Sequence, residues 1–132
     1  MKYKAGYKYQ LHQDESVFTG ITPEAQIDGA FYTLCTSGLL TVKAGYAWDG
    51  PSGPTFDTKS FMRGSLFHDA LYQMMGEGKL SVEKWRKLAD KVLVDVCKAD
   101  GMTAIRRAWV YAGVRVGGGS IASSPDIVLE AP

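Results

Sequence analysis

Between Ala44 and Asp57, two prolines and three glycines (Gly45, Gly50, Pro51, Gly53 and Pro54) fall within fourteen residues. Neither a period of two nor one of 3.6 survives that density of turn formers, so no long strand or helix can cross the stretch. It divides the chain into halves with different patterns. It also carries Tyr46, Trp48 and Phe56 beside Asp49 and Ser52. Linkers are polar, whereas these aromatics must pack, so the stretch is read as a shaped loop folding back over the C-terminal half of the chain.

The half before the loop alternates as strands do. Phe31 to Thr36 and Leu39 to Lys43 are two β-rich runs around Ser37-Gly38, which reads as a hairpin with a two-residue turn. Tyr7 to His12 alternates at period two, and Val17 to Ile21 is a further short candidate before Thr22-Pro23. Three to five short, mostly antiparallel strands are expected. The half after the loop is helical. Thr58 or Ser60 can cap a first helix that runs to about Met75, ahead of Gly76 and Gly78. Ser81 opens a second, with the stripe Trp85, Leu88, Ala89, Val92, Leu93 and Val96, which closes near Asp100-Gly101. Thr103 opens a third, whose stripe is Ile105, Ala108, Trp109, Ala112 and Val116, with Gly117 to Gly119 as its expected end. The resulting fold class is α+β: a small N-terminal antiparallel sheet, the Gly/Pro-rich loop and a three-helix C-terminal half. Residues 1–119 read as one domain and 120–132 as an extended tail bearing the apolar run Ile127 to Leu129.

Composition narrows the function classes. Fifteen Lys and Arg against fourteen Asp and Glu give a net charge of +1, which argues against nucleic acid or anionic lipid as a partner bound through the overall field. No run approaches the ~20 apolar residues of a membrane span, so no membrane insertion is expected. The start, Met1 to Gly6, has no apolar leader pattern. Cys35 and Cys97 are too few for a disulfide framework and read as reduced core thiols. The ligand sets of Cys/His zinc sites and the Gly-x-x-x-x-Gly-Lys phosphate loop are missing from the sequence, and two histidines, His12 and His68, are too few for a His-Asp phosphohydrolase. A thiol hydrolase built on Cys35 and His68 would have its cysteine in mid-strand, without the helix start that activates a thiol. No metal site and no particular cofactor follow from the sequence.

The chemistry is concentrated on the first helix. At 100° per residue, Ser65, His68, Asp69 and Tyr72 fall within about 100° of arc, opposite Leu66, Phe67, Ala70, Leu71 and Met74. A hydroxyl, an imidazole, a carboxylate and a phenol can exchange protons or hold a metal. The same set also makes a structural hydrogen-bond network, and both readings stand at this point. Arg63 heads toward the apolar side and needs a carboxylate or carbonyl fork, for which Asp49, Asp57 and Asp90 are the candidates. Arg86 and Asp90 have the spacing of an exposed helix pair.

Two strings carry a resemblance: Tyr46-Ala-Trp-Asp-Gly-Pro-Ser-Gly-Pro-Thr55 and Phe61-Met-Arg-Gly-Ser-Leu-Phe-His-Asp-Ala-Leu-Tyr72. Arg86-Lys-Leu-Ala-Asp90, Arg107-Ala108, Tyr111 and Gly113-Val-Arg115 extend it. Over about Gly45 to Gly118 the chain resembles the DUF1353 family, small proteins found largely in tailed bacteriophages and prophages. In that pattern the position of Asp49 is often Asn. The resemblance implies a phage or prophage origin and strands followed by helices, but no reaction; with no leader pattern or membrane span in the sequence, the expected location is the host cytoplasm, with incorporation in the virion as the alternative. The aligned polar positions are Asp49, Ser52, Arg63, His68, Asp69, Tyr72, Arg86 and Asp90, and the loop is expected to gather them.

Two functional expectations result. The first is an accessory protein, a virion- or tail-associated interaction module, with Trp48, Asp49, Ser52, Arg63 and Arg86 in binding roles and other virion proteins or a host protein as partner. The second is a small phage hydrolase acting in lysis or host takeover, with His68, Asp69, Tyr72 and Asp90 as its catalytic set; an inhibitor of host defence is a weaker third.

Overall fold

The computed structural model describes residues 3–4, 9–48 and 59–123, with side chains described at 9–48 and 59–117. Of the covering loop expected over Ala44 to Asp57, the part from Asp49 on, with Ser52 and Asp57, lies outside the described residues, as does the tail from 124 onward. The fold is α+β, with antiparallel strands followed by three helices. The strands are β1 (Tyr3–Lys4), β2 (Tyr9–Leu11), β3 (Glu15–Phe18), β4 (Ile27–Asp28), β5 (Tyr32–Leu34), β6 (Leu39–Val42) and β7 (Ala47–Trp48). They form two sheets in the orders β1-β2-β7 and β3-β6-β5-β4. Strand β7 lies inside the stretch read as loop: Ala47 and Trp48 pair with Gln10 and Tyr9. Two residues are too short a run to show alternation, so the pairing is a tertiary event.

The hairpin of β5 and β6 keeps its expected place but turns differently. Cys35 and Leu39 close a three-residue loop, in which the Gly38 N–H donates to the Cys35 carbonyl at 2.9 Å and the Cys35 N–H donates to that of Leu39 at 2.9 Å. Gly38 has φ 95°, and among the described residues no non-glycine has positive φ. A two-residue primed turn would demand positive φ at Ser37, whereas the three-residue form needs it only at its last position, where the glycine stands. On the buried faces of these strands, Tyr32, Leu34, Leu40 and Val42 enter the core.

Helix α1 (Lys59–Gly76) is buried on nearly every side, at thirteen of its eighteen positions. On one side Leu66, Phe67, Ala70, Leu71 and Met74 share a core with the strand residues. On another, Phe61 meets Leu93, Cys97, Met102 and Val110 of the remaining helical half. Helix α2 (Val82–Ala99) begins where Ser81 accepts a hydrogen bond from the Lys84 N–H at 3.2 Å. It ends in a Schellman motif: the Met102 N–H donates to the Cys97 carbonyl, the Gly101 N–H donates to that of Lys98, and Gly101 has φ 98°. Gly64 lets α1 and α2 approach closely, since a Cβ there would lie 2.8 Å from Cys97 Sγ and 2.9 Å from the Leu93 carbonyl oxygen.

Helix α3 (Ala104–Ser123) corrects two expectations. It does not stop at Gly117–Gly119 but runs to Ser123, so residues 120–123 are helical rather than extended. A glycine weakens a helix by about 1 kcal/mol without forbidding it. The expected core stripe of this helix also faces outward: Ile105 is 75%, Trp109 75% and Val116 88% exposed. Val110 is buried instead, and Arg107, Tyr111, Val114 and Arg115 are half-buried. Periodicity locates the stripe; it does not say which way it turns.

Candidate functional site: a carboxylate clasp between three helices

The polar centre of the helical half is Asp90 of α2, whose side chain has no solvent exposure. A carboxylate removed from water costs several kcal/mol unless donors replace its hydration. Three do so. From α1, His68 Nε2–H donates to Asp90 Oδ1 at 2.7 Å and the Tyr72 hydroxyl donates to the same oxygen at 2.5 Å. From α3, Arg115 Nη1 donates to Oδ2 at 2.8 Å. His68 and Tyr72 sit one turn apart on α1, which places their rings 4.1 Å apart, centre to centre, and aims both polar atoms at one point.

The electrostatics follow from this arrangement. Burial alone would raise the Asp90 pKa, but the hydrogen bonds from His68, Tyr72 and Arg115 outweigh it and hold the carboxyl below its ordinary value. The Tyr72 hydroxyl is pushed well up, first by burial and then by donating to an anion. Tyr72 therefore stays protonated and Asp90 ionised across the neutral range. Because Asp90 can only accept, the proton of the His68 contact sits on Nε2.

Arg86, also on α2, completes the clasp. Its Nη2 donates to the carbonyls of Val114 and Arg115 on α3 at 2.9 and 2.7 Å, and its Nε donates to the Tyr72 oxygen at 3.3 Å. The exposed Arg86–Asp90 pair expected from their spacing is not what forms: Asp90 turns into the core and Arg86 reaches across to α3. Arg63 also departs from expectation. It forms a two-pronged bridge to Asp100 at the end of α2, with both nitrogens 3.0 Å from the carboxylate, whereas Asp90 goes to other donors and the candidates Asp49 and Asp57 lie outside the described residues. Position 100 reads in sequence only as a helix end, yet that end packs beside the start of α1.

Of the remaining candidates, Asp69 lies on the outer side of the imidazole, its Oδ1 3.9 Å from His68 Nδ1 and its side chain 39% exposed. Trp48 is buried, and its indole N–H donates to Ser65 Oγ at 3.1 Å, while the Ser65 hydroxyl donates to the Met62 carbonyl at 2.8 Å. The residue before the undescribed loop is thus pinned to α1 one turn ahead of His68. Sequence reasoning missed Arg115 as a ligand of Asp90; its only signal was its place in the resembling segment Gly113-Val-Arg115. Among the described residues, no group of three His, Cys, Asp or Glu side chains lies close enough to hold a metal ion.

The geometry brings together His68, Tyr72, Asp90, Arg86 and Arg115, and separates them from Arg63. Both oxygens of Asp90 and one nitrogen of His68 are committed, and His68, Tyr72 and Asp90 are 7%, 4% and 0% exposed. Chemically, the cluster holds charge in a fixed place, with His68 Nδ1 the one ring nitrogen outside the clasp. Fold and site together define an α+β protein whose ionisable centre is sealed between its helices. Comparison with protein-family models, with curated proteins and with solved structures found no match to the chain. Among the described residues no helix is long and apolar enough to cross a membrane.

Proposed function

We propose that this chain is an interaction module, a small phage-encoded accessory protein of the virion or tail, in which the Asp90 clasp is scaffolding and the work is done by an outward face. One observation carries the reading: charge is turned inward and apolar surface outward. The arginines that hold α3, Arg86 and Arg115, are spent on its carbonyls and on Asp90, while Ile105, Trp109 and Val116 face solvent. A protein made only to fold would gain by the opposite arrangement, since exposed contiguous apolar surface marks contact sites. The phage setting rests on the resemblance to the DUF1353 family. The hydrolase reading has less support, because a substrate needs access to His68 and to an uncommitted base.

Two experiments test the module. Purified particles from a phage carrying the gene are searched for the protein by mass spectrometry, with Trp109→Glu as the comparison. The expected result is presence of the wild type and loss of the variant; absence of both counts against a virion role. In addition, His68→Ala is expected to lower stability without abolishing any turnover, whereas a fully stable His68→Ala protein would argue for the hydrolase.

A further inference from the structure

On α3, the exposed positions from 104 to 117 are Ala104, Ile105, Ala108, Trp109, Ala112, Gly113, Val116 and Gly117. None is charged. The helix's arginines, Arg106, Arg107 and Arg115, are half-buried off this face: Arg107 donates to the Met102 carbonyl at 2.6 Å and Arg115 binds Asp90. The strip is about 20 Å long at 1.5 Å per residue.

We infer that the occupant of this face is a second copy of the same chain, with the two α3 helices packed antiparallel about a two-fold axis passing between Trp109 and Ala112. The inference deepens the module reading and rests on it.

Three features favour a second copy over a different partner. The first is shape. Antiparallel pairing about that axis sets Trp109 of one copy against Ala112 of the other, Ile105 against Val116, Ala108 against Gly113 and Ala104 against Gly117. Every exposed position thus meets an exposed position, and the one very large side chain meets a small one on both sides of the axis. Such self-complementarity is what a two-fold contact demands and what an unrelated partner would not select. The alanines and glycines also let the helix backbones come close. The second is charge: a strip without charge can face itself without like-charge repulsion, which a basic or acidic strip could not. The third is area. Three large side chains exposed by three quarters or more, with the small residues between them, amount to on the order of 600 Å² per copy, so pairing removes about 1,200 Å², the lower bound for a specific interface. Area alone does not fix affinity, so the test spans a wide range of concentration.

Sedimentation equilibrium of the full chain from 1 to 500 μM tests this. The wild type is expected to pass from monomer to dimer, and Trp109→Glu to weaken the dimer about 30-fold or more, the loss typical of a central tryptophan. Phe18→Glu, at an equally exposed apolar side chain on β3, is expected to leave it unchanged. Ala112→Trp sets tryptophan against tryptophan and weakens the dimer, whereas Trp109→Ala with Ala112→Trp exchanges large for small on both copies and restores it. Far-UV circular dichroism at 2 μM checks that each variant is folded. A wild type monomeric at 500 μM overturns the inference, as does a dimer indifferent to Trp109→Glu or not restored by the exchange. A monomer that still requires Trp109 for particle association overturns self-pairing and leaves the module standing; a dimer absent from particles does the reverse.

Discussion

Replacing Asp90 with alanine isolates the clasp. The change removes Asp90 Oδ1, the acceptor shared by His68 Nε2 and the Tyr72 hydroxyl, two donors on residues that are only 7% and 4% exposed. Each donor stranded in this way costs about 1–3 kcal/mol. Arg115 is different: its side chain is 32% exposed and can rehydrate, so its share is discounted to under about 1 kcal/mol. The total, about 4 kcal/mol, sits within the roughly 3–5 kcal/mol seen when one partner of a buried ionic group is deleted, and is a large part of the 5–15 kcal/mol that holds a domain folded. For a chain of this length it corresponds to a fall in Tm of roughly 12–20 °C. Urea unfolding at pH 7, followed by far-UV circular dichroism, measures it. A second arm removes the ambiguity between lost hydrogen bonds and lost packing. Tyr72→Phe alone is expected to cost about 1–2 kcal/mol, but almost nothing once Asp90 is already alanine, since the hydroxyl has then lost its acceptor. A loss under 1 kcal/mol for Asp90→Ala, or simple additivity of the two changes, would refute the clasp as the element that ties the three helices.

The pH dependence has a definite sign. Asp90 is held below its ordinary pKa in the fold, as is Glu77, where hydrogen bonds from Tyr32, Gln73 and Lys79 overcome the effect of burial. Their stabilisation is therefore complete above the unfolded value of about 4 and is lost as pH falls through the folded value, so the gap between wild type and Asp90→Ala narrows on acidification below pH 4; a gap constant to pH 2.5 would contradict it. Gly64→Ala should destabilise by about 2–4 kcal/mol even though alanine is the better helix former, because the Leu93 carbonyl oxygen, 2.9 Å from the new Cβ, belongs to a helix that cannot retreat; thermal unfolding gives the answer, and an unchanged midpoint would show that the helices can part. Burial pushes the Cys97 thiol up to about 12, while Cys35 is partly exposed. A thiol reagent at pH 8 should therefore label one cysteine in the native protein and two in urea, and rapid native labelling of Cys97 would disprove its seclusion.

Much of this protein follows from local pattern. The change from alternating to helical periodicity at the Gly/Pro-rich stretch set the α+β order; Ser81 and Gly101 marked both ends of α2; and the clustering of His68 and Tyr72 on one side of α1 marked the polar centre. These signals are short-range, arising from backbone preference and from the repeat of side chains along one element. The tertiary structure alone decided which elements those side chains meet. Asp90 looked like one half of a surface pair with Arg86, and became a sealed acceptor only because α1 and α3 each bring a donor to it. Arg63 found Asp100 because the end of α2 packs beside the start of α1. The stripe on α3 was legible as a stripe, but its outward heading was set by Arg86 and Arg115, which hold the opposite side of that helix to the core. A sequence specifies which residues share a face; the direction in which that face turns depends on partners tens of residues away, and is settled only when the helices are assembled around their buried charge.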